Sequence, residues 1–408
     1  MDKQNLVRVF VKGGVLTPAD FLNILLSAKD LGAEFLHFGS RQDILFPAKG
    51  KSRATLDEVF RSTHTDYEVD DFTHQNIVSS YAALDVVPNM NWLNAGVYHR
   101  VLASFDFKAK CRINLVDPTQ SLVPLFTGNI NFVASAREGF WHLYLRAKQW
   151  GSVPVVHTKI YRSEDLALVA KHINDLDLEG QGITKEAVWE KVDSLPISTE
   201  YAEGELAFSQ VPFPYYEGLN RESGGNYWLG LYWRNNKFTL NFLISLCKRC
   251  MATEVKTISL TPWKSFIVKG IEERFLVGWE KLMGKFGINL RHSSLELNWH
   301  LPVLSEESLA LKEYLVRALD KQDMSTSGLT FTIKPNDDIY LFTSVVVEIN
   351  PAEGGRAKTY NILYARDFAA NAGVYHTYVN GVTRNVIPAI LIELSVMYFD
   401  QLADVSLT

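Results

Sequence analysis

The chain has 408 residues, with 41 basic and 46 acidic side chains and a formal net charge of −5. This charge argues against non-specific binding to nucleic acid or to an acidic membrane, and 47% hydrophobic residues exclude disorder as the main state. We find no apolar stretch of membrane-spanning length and no secretory signal pattern, so we expect a cytoplasmic protein without membrane contact.

Two segments, one near the N-terminus and one in the middle of the chain, have the same pattern. Residues 6–46 and residues 227–268 both predict a strand, a helix and a strand. An offset of 221 residues superposes the two copies without a gap. In the first copy, Thr17 is the expected N-cap and Pro18 the first helical residue. The match predicts an internal duplication.

A weaker repeat follows each copy. Residues 131–145 predict two strands before a helix over 163–173, and residues 341–364 predict two strands before a helix over 386–402. The order of elements predicts an α+β protein with a pseudo-twofold duplication. The predicted domains are 1–60, 61–220, 221–301 and 302–408.

The ends of the two copies resemble a known family. The segment from Ser40 through Arg41 and Gln42 to Leu45, and the segment 260–266, resemble the ferredoxin-like half-domains of the sirohaem nitrite and sulfite reductases. That family alternates ferredoxin-like half-domains with larger reductase-type α+β domains, in the order predicted here. In the family, sirohaem and a 4Fe-4S cluster share a bridging cysteine thiolate, and six electrons pass to nitrite or sulfite.

The resemblance implies basic side chains around an anion- or tetrapyrrole-binding cleft. Lys110 and Arg112 match two basic positions of a family strand, and the two-residue period of a strand places both on one face. Basic groups in such a cleft offset the charge of a reducible oxyanion. The alternative for this pair is the solvated face of an ordinary strand.

Three further positions follow from the same resemblance. Arg8 matches an arginine of an anion-binding strand, in which Phe10 replaces the family's second arginine. Gln75 stands where the family has another anion-binding arginine. Arg41 matches a position that serves the tetrapyrrole carboxylates, and the alternative is a structural arginine paired with an acidic neighbour.

The cysteines depart from the family pattern. The chain has three, Cys111, Cys247 and Cys250, whereas the family's four cluster ligands lie in the C-terminal domain. Residues 251–408 contain no cysteine. Because iron–sulfur clusters require thiolate ligands, a 4Fe-4S cluster is not expected, and neither is six-electron reduction by the family's mechanism. Whether the protein is an enzyme stays open.

Cys247 and Cys250 form a C-x-x-C pair within the second predicted helix. A redox pair is favoured at a helix N-terminus, whereas this pair lies near the C-terminal end. Under the 221-residue offset Cys247 aligns with Leu26, which predicts a core position, and Cys250 aligns with Lys29, which predicts an exposed one. No metal site is predicted, because His37, His74 and His99 lack metal-ligand spacing. Structural roles are expected for these histidines, and the alternative is a haem-iron ligand among them.

Two functions remain open. The first is a nitrite/sulfite reductase-like protein without the cluster, which binds an anion or a tetrapyrrole and assists electron transfer in nitrogen or sulfur assimilation. Its cofactor would be sirohaem or haem, and its partner a separate rubredoxin or ferredoxin. The second is a cofactor-free scaffold or interaction protein with a vestigial cleft. Nucleotide, zincin and serine-hydrolase motifs are absent from the sequence.

Overall fold

Four sheets with helices packed against them make up the computed structural model. It describes residues 5–406, apart from residues 49, 64, 177, 179, 181, 205, 207, 209, 210, 336–339 and 353–356. The sheets mix parallel and antiparallel pairs, and the α+β class is confirmed. In this described part, we find no helix with the length and hydropathy of a bilayer-spanning segment.

The N-terminal repeat forms a small antiparallel sheet covered by helices. Its elements are β1 (Leu6–Val9), β2 (Val15–Leu16), α1 (Pro18–Asp30), β3 (Phe35–Phe38), β4 (Ile44–Pro47) and α2 (Arg53–Ser62). The predicted helix start is confirmed, because the Thr17 hydroxyl accepts a hydrogen bond from the Asp20 N–H at 3.1 Å and Pro18 is the first helical residue.

The first large sheet follows. The next elements are β5 (Tyr67–Val69), β6 (Val78–Ser79), α3 (Ala95–Ser104), β7 (Ile113–Val116), β8 (Ile130–Ala134), β9 (Phe140–Leu145), β10 (Val155–Arg162), α4 (Leu166–Asn174), α5 (Lys185–Asp193) and β11 (Thr199–Tyr201). Strand β5 pairs with β1 of the small sheet. The large sheet has the order β11-β10-β9-β8-β7-β6, in which β6, β7 and β8 are parallel.

The second repeat has the same build as the first. Its elements are β12 (Gly218–Arg221), β13 (Tyr227–Tyr232), β14 (Phe238–Thr239), α6 (Leu240–Ala252), β15 (Thr257–Leu260), β16 (Ser265–Ile271), α7 (Leu276–Phe286) and α8 (Ser294–Leu297). Strands β12, β13, β16 and β15 follow one another in an antiparallel sheet.

The second large sheet has the topology of the first. Its elements are β17 (Trp299–His300), α9 (Glu306–Asp320), β18 (Phe331–Lys334), β19 (Val345–Asn350), β20 (Thr359–Ala365), β21 (Tyr375–Val382) and α10 (Ile387–Ser406). Strands β17, β18 and β19 are parallel, and β20 and β21 continue the sheet in antiparallel pairs. The predicted order of elements is therefore present in both halves, while the exact domain limits remain predictions.

The two repeats are related by an offset of 222 residues, one more than the sequence alignment gave. Helix α1 begins at residue 18 and α6 at 240, while β3 begins at 35 and β15 at 257. The repeats also exchange strands, because β14 pairs with β3 and β2 pairs with β15. Phe238 faces Leu36 and Leu16 faces Ile258, which are equivalent pairs under this offset. Each small sheet is therefore completed by a strand of the other repeat.

Candidate functional site

A cavity of ≈ 500 Å³ lies where the two halves of the protein meet. The first half contributes β1 and the turn between β3 and β4, and the second contributes the segment 300–303 and Tyr340. Four of the five predicted site residues line it, namely Arg8, Arg41, Gln75 and Arg112. Most of the remaining lining is apolar, with Leu6, Leu45, Phe72, Pro262, Leu301, Pro302, Val303, Pro335 and Phe342.

Arg41 joins the first repeat to the first large sheet. Its Nη1 donates to the Asn114 Oδ1 at 2.8 Å and to the Thr127 hydroxyl at 3.3 Å. Its Nη2 donates to the backbone carbonyls of Asn76 at 2.8 Å and Ile113 at 2.9 Å. Burial and then the charge of Arg112 lower the pKa of Arg41, but an arginine remains protonated at neutral pH. These contacts describe a structural arginine with neutral partners.

Arg8 is also held by the protein. Its Nη2 pairs with the Glu68 carboxylate at 2.8 Å and donates to the His74 carbonyl. The guanidinium lies 4.9 Å from the ring centroids of Phe10 and Phe72. The Nε atoms of Arg8 and Arg41 are buried without a hydrogen-bond partner among the described residues. Arg41 therefore uses both of its Nη atoms within the fold, whereas Arg8 has its charge paired with Glu68 and uses its Nη2.

The predicted strand position of Lys110 and Arg112 is wrong. Strand β7 begins at Ile113, because the Asn174 side chain accepts the N–H groups of Lys110 and Cys111, and the Asn129 side chain accepts that of Arg112. Lys110 is exposed and is not among the residues that line the cavity.

Arg112 and Gln75 face the cavity in different ways. Arg112 is half-buried, lies 5.9 Å from the Tyr340 ring centroid and has no ion pair with a described carboxylate. Gln75 donates from its side chain to the Phe72 carbonyl at 2.7 Å. Arg112 is thus the predicted cation that remains available to a ligand in this cavity.

His300, on β17, is a lining residue that the sequence did not single out. It is 5% exposed, and its Nδ1 is buried without a hydrogen-bond partner among the described residues. Burial and then the nearby charge of Lys264 lower the pKa of His300 to about 3, so the imidazole is neutral. Its ring lies 4.6 Å from that of Phe342. A neutral imidazole with an unpartnered nitrogen is a donor suited to haem iron.

The cavity residues fit a tetrapyrrole better than a small oxyanion. The apolar walls suit a macrocycle, Arg112 suits a carboxylate, and His300 supplies a neutral nitrogen. A small oxyanion would need several free cations, whereas Arg8 and Arg41 are engaged. Asp43 also lines the cavity; burial raises its pKa, and the charges of Arg8 and Arg41 oppose this shift.

The C-x-x-C cysteines are both core residues. Under the 222-residue offset Cys247 matches Leu25 and Cys250 matches Ala28, and all four are buried. The expectation that Cys250 is exposed is therefore wrong, because the sequence alignment was one residue out of register. Burial raises the pKa of Cys247 to about 12 and also raises that of Cys250.

We expect Cys247 and Cys250 to be unreactive in the folded protein. At pH 8 a buried thiol with a raised pKa has almost no thiolate, which is the reactive form. Native protein mixed with a chromogenic disulfide reagent should leave both residues unmodified, and denatured protein should react at both. Rapid modification of either residue in the native state, located by peptide mass spectrometry, would contradict the burial described here.

At the level of sequence, no protein-family model and no curated protein matches the chain. At the level of structure, the duplicated α+β architecture is shared with a solved protein. It is similar to the NirA protein of Mycobacterium tuberculosis, with a TM-score of 0.70 and 13% sequence identity. The superposition covers 94% of this chain and 79% of that chain, so it includes both halves of the duplication. At this identity the similarity establishes the fold, and function has to be argued from the site.

Proposed function

We propose that this protein binds a tetrapyrrole in the ≈ 500 Å³ cavity between its halves. The observation that carries the proposal is that Arg112 and His300 line one apolar cavity, where the neutral imidazole of His300 has a buried Nδ1 without a hydrogen-bond partner among the described residues. Arg112 would hold a carboxylate of the ligand, and His300 would supply a nitrogen ligand to its iron. A bound haem iron supplies one-electron chemistry.

The cellular role in this proposal follows from the family resemblance. We propose a nitrite/sulfite reductase-like accessory that carries electrons in nitrogen or sulfur assimilation, with a separate rubredoxin or ferredoxin as its partner. The fold shared with the NirA protein supports the resemblance. The sequence offers no set of cysteines for the family's cluster after Met251, so the proposal includes no 4Fe-4S site.

The proposal predicts that purified protein binds haem with a stoichiometry near one, seen as a Soret band during titration. Arg112→Ala should weaken binding about 10- to 100-fold, because a charge-assisted contact to a carboxylate is lost. Lys110→Ala is the matched control, since Lys110 is a nearby but exposed cation outside the cavity, and it should leave affinity unchanged. His300→Ala should shift the Soret maximum, which Arg112→Ala should not do.

Sirohaem is the second ligand to titrate. It carries more carboxylates than haem, and among the described residues of the cavity Arg112 is a cation without a carboxylate partner, so we expect haem to bind more tightly. A specific observation favours the alternative scaffold function: the charge of Arg8 is paired with Glu68, and both Nη atoms of Arg41 are hydrogen-bonded within the fold. Absence of stoichiometric binding of both tetrapyrroles at micromolar concentration would reject the proposal and leave the scaffold function.

A further inference from the structure

A second and larger cavity, of ≈ 840 Å³, is lined by Leu301 and Pro302, which also line the first cavity. Aromatic rings form much of its wall, with Phe35, Tyr232, Trp233 and Trp299. Four cationic side chains also line it, namely Arg234, Lys237, Lys264 and Lys312. This combination of flat apolar surface and positive charge is typical of a site for an aromatic anion.

Lys264 is the unusual member of this set. It is 9% exposed, and its ammonium donates to the Pro302 carbonyl at 3.3 Å and has no carboxylate partner in the described part of the chain. Two other buried lysines are better satisfied. Lys269 donates to the carbonyls of Tyr81 at 2.6 Å and Leu84 at 2.7 Å.

Lys312, which lines the same cavity, is a buried lysine whose ammonium has both a carboxylate and a hydroxyl partner. Its ammonium contacts the Glu296 carboxylate at 2.8 Å and the Tyr232 hydroxyl at 2.5 Å. In the first repeat, the residue equivalent to Lys264 under the 222-residue offset is Gln42, whose amide is bonded to Ser79 and Leu260. The second repeat therefore places an underpaired cation where the first has a saturated neutral group.

We propose that the second cavity binds a small aromatic carboxylate, with Lys264 as the ion partner of the carboxylate group. The rings of the wall would contact the ligand's ring, and the ligand would supply the acceptor that the protein does not give Lys264. The site is separate from the proposed tetrapyrrole cavity and does not depend on it.

The charges around Lys264 favour an anion and couple its binding to a proton. The groups that face it are Lys312 on α9, His37 on β3 and His300 on β17. The acids that line the cavity are Glu306 and Glu313 on α9. Burial and then the charge of Lys312 lower the pKa of Lys264 to about 7. A bound carboxylate raises this pKa again, so binding above pH 7 should take up a proton.

The test is calorimetric titration of the full chain with 1-naphthoate at pH 8, in two buffers that differ in ionisation enthalpy. We expect one saturable site and uptake of close to one proton per ligand, since the free amine is mostly neutral at this pH. The uncharged 1-naphthamide should bind at least about tenfold more weakly. Weak binding of both compounds, equal binding of both, or binding without proton uptake would overturn the proposal.

The variants locate the site. Lys264→Met should weaken 1-naphthoate binding about 10- to 100-fold, whereas Lys237→Met, an exposed cation of the same cavity, should change it less than about threefold. Unchanged 1-naphthoate binding by Lys264→Met would overturn the assignment of Lys264 as the ion partner. If that variant fails to fold, the proton uptake measured with the wild-type protein tests the assignment instead. Haem-loaded protein should still bind 1-naphthoate; competition between them would overturn the claim of a separate site.

Discussion

Replacement of Arg41 by alanine should lower the free energy of unfolding by about 3–5 kcal/mol. The substitution leaves two backbone carbonyls and two side-chain oxygens in the interior without their charged donor. Relief of the like charges of Arg112 and Arg8 offsets part of the loss, while the lost attraction to Asp43 adds to it. The stability of Arg41→Lys should lie between those of wild type and Arg41→Ala, because a single ammonium cannot reach the acceptors of both Nη atoms. The measurement is urea denaturation, in which the midpoint should fall while the dependence of the free energy of unfolding on urea concentration stays unchanged.

Arg112→Ala is the matched control for Arg41. It removes an arginine from the same cavity, but one without an ion pair to a described carboxylate, so stability should change by less than about 1 kcal/mol. A stable Arg41→Ala variant that loses haem binding would restore the role that the family resemblance gave Arg41. An unstable variant supports the structural role, in which the hydrogen-bond partners are neutral oxygens and the acidic neighbour Asp43 acts on Arg41 through its charge.

The sequence was informative where the determinants are local. The cap at Thr17, the apolar spacing of the first helix and the recurrence of that pattern in the second repeat are properties of short segments. The alignment between repeats was one residue out of register because apolar residues recur closely enough to satisfy two offsets. The exchange of β2 and β14 between the small sheets resolves this ambiguity, and it is a tertiary contact.

The site was predictable only in part. Family-like motifs led to Arg8, Arg41, Gln75 and Arg112, which the fold brings to one cavity. They could not show that Arg41 is saturated, because its acceptors come from residues 76, 113, 114 and 127. The period-2 argument failed at Lys110 because asparagine side chains take the N–H groups that a strand would pair. No local sequence pattern marks His300 or Lys264 as a candidate site residue.

The second large effect is expected at the ion pair beside that cavity. Lys312 contacts Glu296 at 2.8 Å, and Glu296 also contacts Arg234 at 2.7 Å. Burial acts to raise the pKa of Glu296, but the charges of Lys312 and Arg234 outweigh it and leave that pKa lowered. Burial acts to lower the pKa of Lys312, but Tyr232 and Glu296 outweigh it and leave that pKa raised. Both groups are therefore charged at neutral pH.

Glu296→Gln should lower the free energy of unfolding by about 3–5 kcal/mol, because it leaves the Lys312 charge buried without a counter-ion. Lys312→Met should cost less, since Glu296 keeps the largely exposed Arg234. The double variant should be more stable than Glu296→Gln alone, as it buries no unpaired charge.

The pH dependence provides an independent check of this pair. The lowered pKa of Glu296 means that its contribution to stability is complete above the ordinary glutamate value of 4.5 and is lost as the pH falls through the folded-state pKa. The raised pKa of Lys312 means that its contribution is complete below 10.5 and is lost as the pH rises through its folded-state pKa. Between pH 7 and pH 3, the difference in the free energy of unfolding between wild type and Glu296→Gln should therefore narrow toward the acid end, and a constant difference would contradict the ion pair as the cause.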